Sequence, residues 1–293
     1  MYDIWGLKMK KLGVLVCTNS SIDYIDHDYQ VDIVRSTVLM GDKEYIDYEE
    51  LTADEFYKML KENPSLFPRT SMASTGKMLE HYEKLKAEGC DTILFITISA
   101  KMSGTYENAL LAAKMIEGVD VRVFDSKSLG YIECKMVFTA HDDFKAGKTI
   151  DEIIKDLEFI RDNNKIYFAV EDLSFLIKNG RLSNAAAFFA NALKIKPLLE
   201  IDKAGAVVSV EKIRTFKKAV DRVIDKYLEE TEGKDVETFI IHAFNPKTVE
   251  YMRDRIAELR PEVGEIKDYL LTPAVGAHGG PGAVSVGYII NKH

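Results

Sequence analysis

The sequence predicts an α/β protein in two parts: an N-terminal parallel-sheet α/β domain over residues 1–164, and a C-terminal α+β domain with a mainly antiparallel sheet over residues 165–293. Three observations carry this. Strand-like runs alternate with amphipathic stretches through the first half, the mark of a parallel sheet covered by helices. After about residue 165 the strands follow one another more closely, which favours hairpins. A length of 293 residues also suits two ordinary domains.

The elements follow in order. GVLVC (13–17), TILFITI (92–98) and VRVFD (121–125) are the strands expected in the first part, each followed by an amphipathic stretch. Between 77 and 88, Met78, Leu79, Tyr82 and Leu85 mark one helix face, and Gly89 closes the helix. DEIIKDLEFIRD (151–162) predicts another helix with Asp151 as its N-cap. In the second part IYFAV is a strand and SFLIKNGRLSNAAAFFANAL reads as helical. PLLEID and AVVSVEKI pair about a turn at Lys203 to Gly205. A charged helix (216–230), the strand ETFIIHAF, a helix opened by NPKTVEYM, YLLT and AVSVGYII complete the pattern.

Composition removes several classes. With 46% hydrophobic and 29% charged residues the chain is expected to be folded, not disordered. A net charge of −8 and a pI of about 5.4 give no overall positive field for nucleic acid or anionic lipid. Cys17, Cys90 and Cys134 are odd in number, far apart and without metal-ligand spacing, which fits reduced thiols in a cytoplasmic protein with no metal site. KMKKLGVLVCTNS imitates a secretion signal, but its apolar run is too short for one. AAAFFANALKIKPLL, broken by Asn191, Lys194 and Lys196, is not expected to span the ~30 Å of a bilayer core. Met9 offers an alternative start that would leave MYDIWGLK as a fringe.

Three loops carry candidate chemistry. FPRTSMASTG (67–76) places Thr70, Ser71, Ser74 and Thr75 at the mouth of one helix, where a single hydroxyl suffices for a cap. The surplus allows a second reading, an anion cradle of hydroxyls and free backbone N–H groups. SAKMSGTYENA leaves the strand TILFITI with Ser103 ahead of Gly104, whose missing side chain lets a group approach the backbone. Both loops are expected at the carboxyl ends of parallel strands. The third, TPAVGAHGGPGAVSVG, has five glycines between Gly276 and Gly287 around His278, an open backbone in which a histidine can donate to an anion or move a proton. The bland alternatives are a cap, an ordinary turn and a chain reversal. STGK lacks the preceding glycine of a P-loop, and no G-x-S-x-G elbow is present. SNAAAFFANALKIKPLL is either core or one wall of a channel for a long apolar ligand.

Along almost the whole chain, VLVCTNSS, GDKEYIDY, RTSMAS, ISAKMSGTYENAL, VFDSKSLG, FLIKNGRLS and AHGGPGAVSVG resemble the DegV proteins, which include the fatty-acid-binding subunits of bacterial fatty acid kinase. The resemblance implies a carrier, not a free-standing enzyme, with a bound long-chain fatty acid and no cofactor. It places the carboxylate at Thr70, Ser71, Ser103, Gly104, His278 and Gly279, at the domain junction, and the tail in a tunnel of the second domain. It gives Arg181 of KNGRLS, on what reads as an exposed turn, a contact with a separate ATP-dependent kinase subunit that makes the acyl phosphate. Transient membrane contact is compatible with such a ligand. Two positions depart from the family pattern: Ala73 where Pro is usual, and Asn19 where Asp is usual. The rival readings are an acyl ester or thioester hydrolase using Ser103 and His278, and a lipid-binding sensor with no kinase.

Overall fold

The computed structural model describes residues 11–187 and 194–292. The first half runs β1 (Leu12–Cys17), β2 (Asp32–Val34), β3 (Thr37–Met40), β4 (Lys43–Ile46), α1 (Ala53–Glu62), β5 (Arg69–Ser71), α2 (Thr75–Ala87), β6 (Thr92–Thr97), α3 (Thr105–Ala113), β7 (Asp120–Asp125), α4 (Tyr131–Lys145) and α5 (Ile150–Asp162). Strands β2, β1, β6 and β7 lie side by side in that order, each pair parallel. The two central strands read as continuous apolar runs because both sheet faces are covered. Leu15, Cys17, Ile93 and Phe95 pack with Met78, Tyr82 and Ala109 of α2 and α3. Val14, Val16, Leu94 and Ile96 point the other way, to a larger core that includes Ile132 and Met136 of α4.

Two features differ from the sequence expectation. Helix α5 is capped by Thr149, not Asp151: the Glu152 N–H donates to the Thr149 hydroxyl, and the Thr149 N–H donates to Glu152 Oε2 at 2.8 Å. This reciprocal box satisfies two otherwise unpaired donors, and Asp151 instead pairs with Arg122 at 3.1 Å. RTSMAST does not sit at the carboxyl end of a parallel strand. Its first three residues are β5 in a separate antiparallel sheet of order β4, β3, β5. These strands of three or four residues are too short to give a readable period.

The second half continues β8 (Asn164–Ala169), α6 (Ser174–Lys178), β9 (Leu198–Ile201), β10 (Val207–Glu211), α7 (Phe216–Thr231), β11 (Val236–His242), α8 (Pro246–Leu259), β12 (Lys267–Leu270), α9 (Pro273–Gly279) and β13 (Val284–Ile290). Its sheet, ordered β10, β9, β8, β13, β11, β12, is antiparallel except for the pair β11 and β12. One face carries Tyr167, Ile240 and Val286 against α7 and α8. The other face, with Ile166, Leu199 and Ile241, joins the larger core of the first half.

SFLIKNGRLSNAAAFFANAL is not one helix. Helix α6 ends at Lys178, and Gly180, at φ 70°, takes the left-handed conformation that commonly terminates a helix. A single 3₁₀ turn follows at Ala185–Ala187, and residues 188–193 lie outside the described residues.

Gly287 sits in β13 opposite Phe239 and Ile166, where a Cβ would drive into the Phe239 ring and lie 3.1 Å from the Lys165 carbonyl. Phe239 is 1% exposed and has nowhere to move. Gly287→Ala is therefore expected to cost about 1–3 kcal/mol by overpacking. Urea denaturation would show this as a lower midpoint, and an unchanged midpoint would mean that the strands separate at no cost.

Candidate functional site

The hydroxyls of FPRTSMASTG divide their work. Ser74 alone caps α2, accepting from the Lys77 N–H at 3.3 Å. Ser71 is exposed, its hydroxyl 3.5 Å from the Met72 carbonyl. Thr70, paired with Val38 of β3, faces inward, and its Oγ1 lies 2.8 Å from His278 Nε2.

Ser103 lies in the turn between β6 and α3. Its Oγ is 2.8 Å from the Thr105 hydroxyl and accepts from the Thr105 N–H at 3.3 Å. The N-cap position of α3 is Gly104, which offers no side-chain cap. This turn is fastened from the second half, because the buried Ser99 hydroxyl donates to the Gly205 carbonyl at 2.7 Å. A Cβ on Gly205, at φ 84°, would collide with Ser99, so the β9–β10 turn reaches the loop only through glycine.

His278 does not stand in an open glycine loop. It occupies the last turn of α9, opened by Thr272, whose hydroxyl accepts from the Val275 N–H. The helix is held by its surroundings. Its Ala274 N–H donates at 3.1 Å to the fully buried Asp47, which also accepts from the Thr18 hydroxyl at 3.0 Å. Tyr57 donates to the Leu271 carbonyl at 3.1 Å, and Asn179 to the Ala277 carbonyl at 2.9 Å. Gly276 is required because Tyr57 passes directly over it. Burial pushes the Asp47 carboxyl up to about 6, against the pull of these two donors.

His278 is neutral. Burial, and then the nearby Arg181 charge, lower its pKa from 6.5 to about 4. Its Nδ1 is buried without a partner. A bare ring nitrogen is cheaper to leave unpaired than an N–H, so the hydrogen resides on Nε2 and donates to Thr70 Oγ1. The Thr70 hydroxyl hydrogen is then available to a ligand.

Arg181 does not lie free on an exposed turn. It is half-buried, with Nε donating to the Met102 carbonyl at 3.0 Å and Nη1 to the Asn179 carbonyl at 2.6 Å. The Asn179–Gly180 turn folds back toward the β6–α3 loop and carries the guanidinium into the wall of a cavity.

That cavity measures about 320 Å³, within the usual range for small-molecule sites. Thr70, Ser71, Ser103, Gly104, Arg181, His278 and Gly279 all line it, together with Asn19 and Ser36, which the sequence did not mark as ligand contacts. The rest is mainly aliphatic: Ile98 and Met102 after β6, and Ile166, Phe168, Ile201, Val207, Ile241 and Val284 from the six-stranded sheet. Both halves of the chain therefore build it. The described ends of SNAAAFFANALKIKPLL contribute no lining residue, and its middle, residues 188–193, on which the channel-wall reading falls, lies outside the described residues. The strand alternation of β8 and β11 was the available signal for this wall. Ser103 and His278 do not form a nucleophile and base: the imidazole meets Thr70, the Ser103 hydroxyl meets Thr105, and His278 Nδ1 has no orienting partner.

Fold and site together define a class: a three-sheet α/β protein whose cavity sets hydroxyls and a guanidinium beside a body of aliphatic side chains. The chain belongs to the DegV family, described as "uncharacterised protein, DegV family", which matches residues 14–291. It is 32% identical over 283 residues to a DegV domain-containing protein of Listeria innocua, covering 96% of this chain and 99% of that one. Among solved structures it is similar to a fatty acid binding DegV family protein from Streptococcus agalactiae, with TM-score 0.88 and 25% identity over 97% of this chain and all (100%) of that one. It is also similar to DegV, a fatty acid binding protein from Bacillus subtilis, with TM-score 0.82 and 28% identity over the same shares, 97% and 100%.

The histidine assignment is testable through acid stability. A base whose folded pKa is depressed stabilises the fold above its unfolded value and loses that contribution as pH falls. Relative to His278→Gln, the parent should lose stability between pH 6.5 and about 4, and its imidazole should titrate near the lower value by NMR. A stability difference independent of pH over this window would contradict the assignment.

Proposed function

We propose that this chain binds a long-chain fatty acid, carboxylate at Thr70, Ser71, Ser103, Gly104, His278 and Gly279, tail among the aliphatic side chains of the six-stranded sheet. The observation that carries the reading is the convergence of Thr70, Ser103 and Arg181, from three separate segments, on one mainly apolar cavity. A buried carboxylate is costly unless donors replace its water. Here the candidates are the Thr70 hydroxyl, freed by His278, the Ser103 hydroxyl and the Arg181 guanidinium. The tail supplies the driving force, at ~0.8 kcal/mol per CH₂ buried. Solved relatives described as fatty acid binding support the ligand class.

We further propose that a separate ATP-dependent kinase subunit phosphorylates the bound carboxylate to the acyl phosphate, so that this chain is a carrier and its partner the catalyst. Arg181, half-buried in the cavity wall, is then placed to neutralise the carboxylate and the incoming phosphoryl group, besides any contact with the partner.

Protein purified from a bacterial host should carry one fatty acid per chain, seen by native mass spectrometry and identified after extraction. A uniform apo mass, with no lipid gained on incubation, would remove the carrier reading. Ser103→Ala and Thr70→Val should each lose a hydrogen bond to a charged oxygen, ~1.5–3 kcal/mol, and so weaken a fluorescent fatty acid about ten-fold or more; Ser103→Ala should leave the melting temperature nearly unchanged, whereas Thr70→Val, which strips the buried His278 Nε2–H of its acceptor, should also lower it. Parental affinity in both variants would show that the carboxylate lies elsewhere.

A further inference from the structure

One side chain crosses the cavity mouth without a part in the head-group contacts. Met72 follows the β5 hydroxyls, lines the cavity and is 41% exposed. Its Sδ stands 3.9 Å from the Ser103 hydroxyl oxygen. An ideal Cβ on Gly104 would lie 3.1 Å from its Cε and 3.3 Å from its Sδ. The thioether thus reaches from the end of β5 to the entry of α3, over a glycine with no side chain to hold it off. Of the other described methionines, Met40, Met78, Met102, Met136 and Met252 are buried, Met59 is half-buried, and only Met115 shares the exposure of Met72.

We infer that Met72 is an oxidisable gate: its conversion to the sulfoxide by a peroxide weakens fatty-acid binding by turning an apolar cover into a polar competitor for the Ser103 hydroxyl. This rests on the reading that Ser103 holds the ligand carboxylate. In the reaction a lone pair on Sδ takes one oxygen of hydrogen peroxide as the O–O bond breaks; the sulfur is oxidised by two electrons and the other oxygen leaves as water. A thioether is a flexible apolar group and a poor acceptor, whereas the sulfoxide is polar and its oxygen accepts strongly. Placed at hydrogen-bond reach of Ser103, that oxygen takes the proton the carboxylate needs and sets a partial negative charge beside an anion.

The test compares the parent, Met72→Leu and Met115→Leu before and after hydrogen peroxide, with oxidation at each methionine read by peptide mass spectrometry and affinity by the fluorescence of cis-parinaric acid. Oxidised parent and oxidised Met115→Leu should bind about ten-fold more weakly, the loss of a hydrogen bond to a charged group. Met72→Leu should keep its affinity through the treatment, and methionine sulfoxide reductases should restore the parent. Parental affinity in protein fully oxidised at Met72, or an equal loss in Met72→Leu, would overturn the inference. Untreated protein that fails to bind the probe would remove the fatty-acid reading itself, and this inference with it.

Discussion

A carboxylate enters an apolar interior only where hydrogen-bond donors stand in place of its water, and the proposed ligand sets that constraint on the architecture around the cavity. No single element supplies enough donors. Thr70 comes from a short antiparallel sheet, Ser103 from a turn after a parallel strand, His278 from a seven-residue helix and Arg181 from a helix-ending turn. The aliphatic remainder comes largely from the six-stranded sheet. Separating the two halves of the chain would leave hydroxyls without an apolar compartment, or the compartment without hydroxyls.

Holding four segments in register explains several otherwise unfavourable features. Asp47 is buried with one carboxylate oxygen unpartnered and its pKa raised to about 6. In return it ties the first turn of α9 to the end of β1. A seven-residue helix containing two glycines has little stability of its own, and grips from Asp47, Tyr57, Asn179 and the Thr272 cap take its place. Gly205 and Gly276 serve the same end by close approach, one joining the β9–β10 turn to Ser99 and the other letting Tyr57 reach α9. Because this helix fixes His278, and His278 directs the Thr70 hydroxyl, the donor set depends on residues that do not line the cavity.

The legible parts of the fold were those with a strong local period. Central strands β1 and β6, the helices α2, α7 and α8, and the hairpin of β9 and β10 follow from apolar runs, stripes and turn residues. Helix α9 was not legible, since PAVGAHG has no amphipathic stripe and its order is imposed by tertiary contacts. Strands β3 to β5 were too short to register, and Asp151 looked like a cap because the Thr149–Glu152 box lies one step earlier. At the site, hydroxyls and glycines in suspicious density pointed to Thr70, Ser103 and His278. Asn19, Ser36 and Met72 gave no such signal as lining residues, because only the pairing of distant strands brings them to the cavity. The burial of Arg181 is hidden for a related reason: an Asn-Gly pair announces a turn but says nothing of what packs upon it.

On the proposed reading, buried donors rather than solvent hold the carboxylate ionised. Carbon NMR of the protein loaded with carboxyl-labelled palmitic acid tests this most directly. The expected carboxyl resonance stays at its ionised position well below the ordinary carboxylate range, which begins near pH 4, and moves on Ser103→Ala. A resonance that titrates as in water, and ignores that substitution, would contradict it.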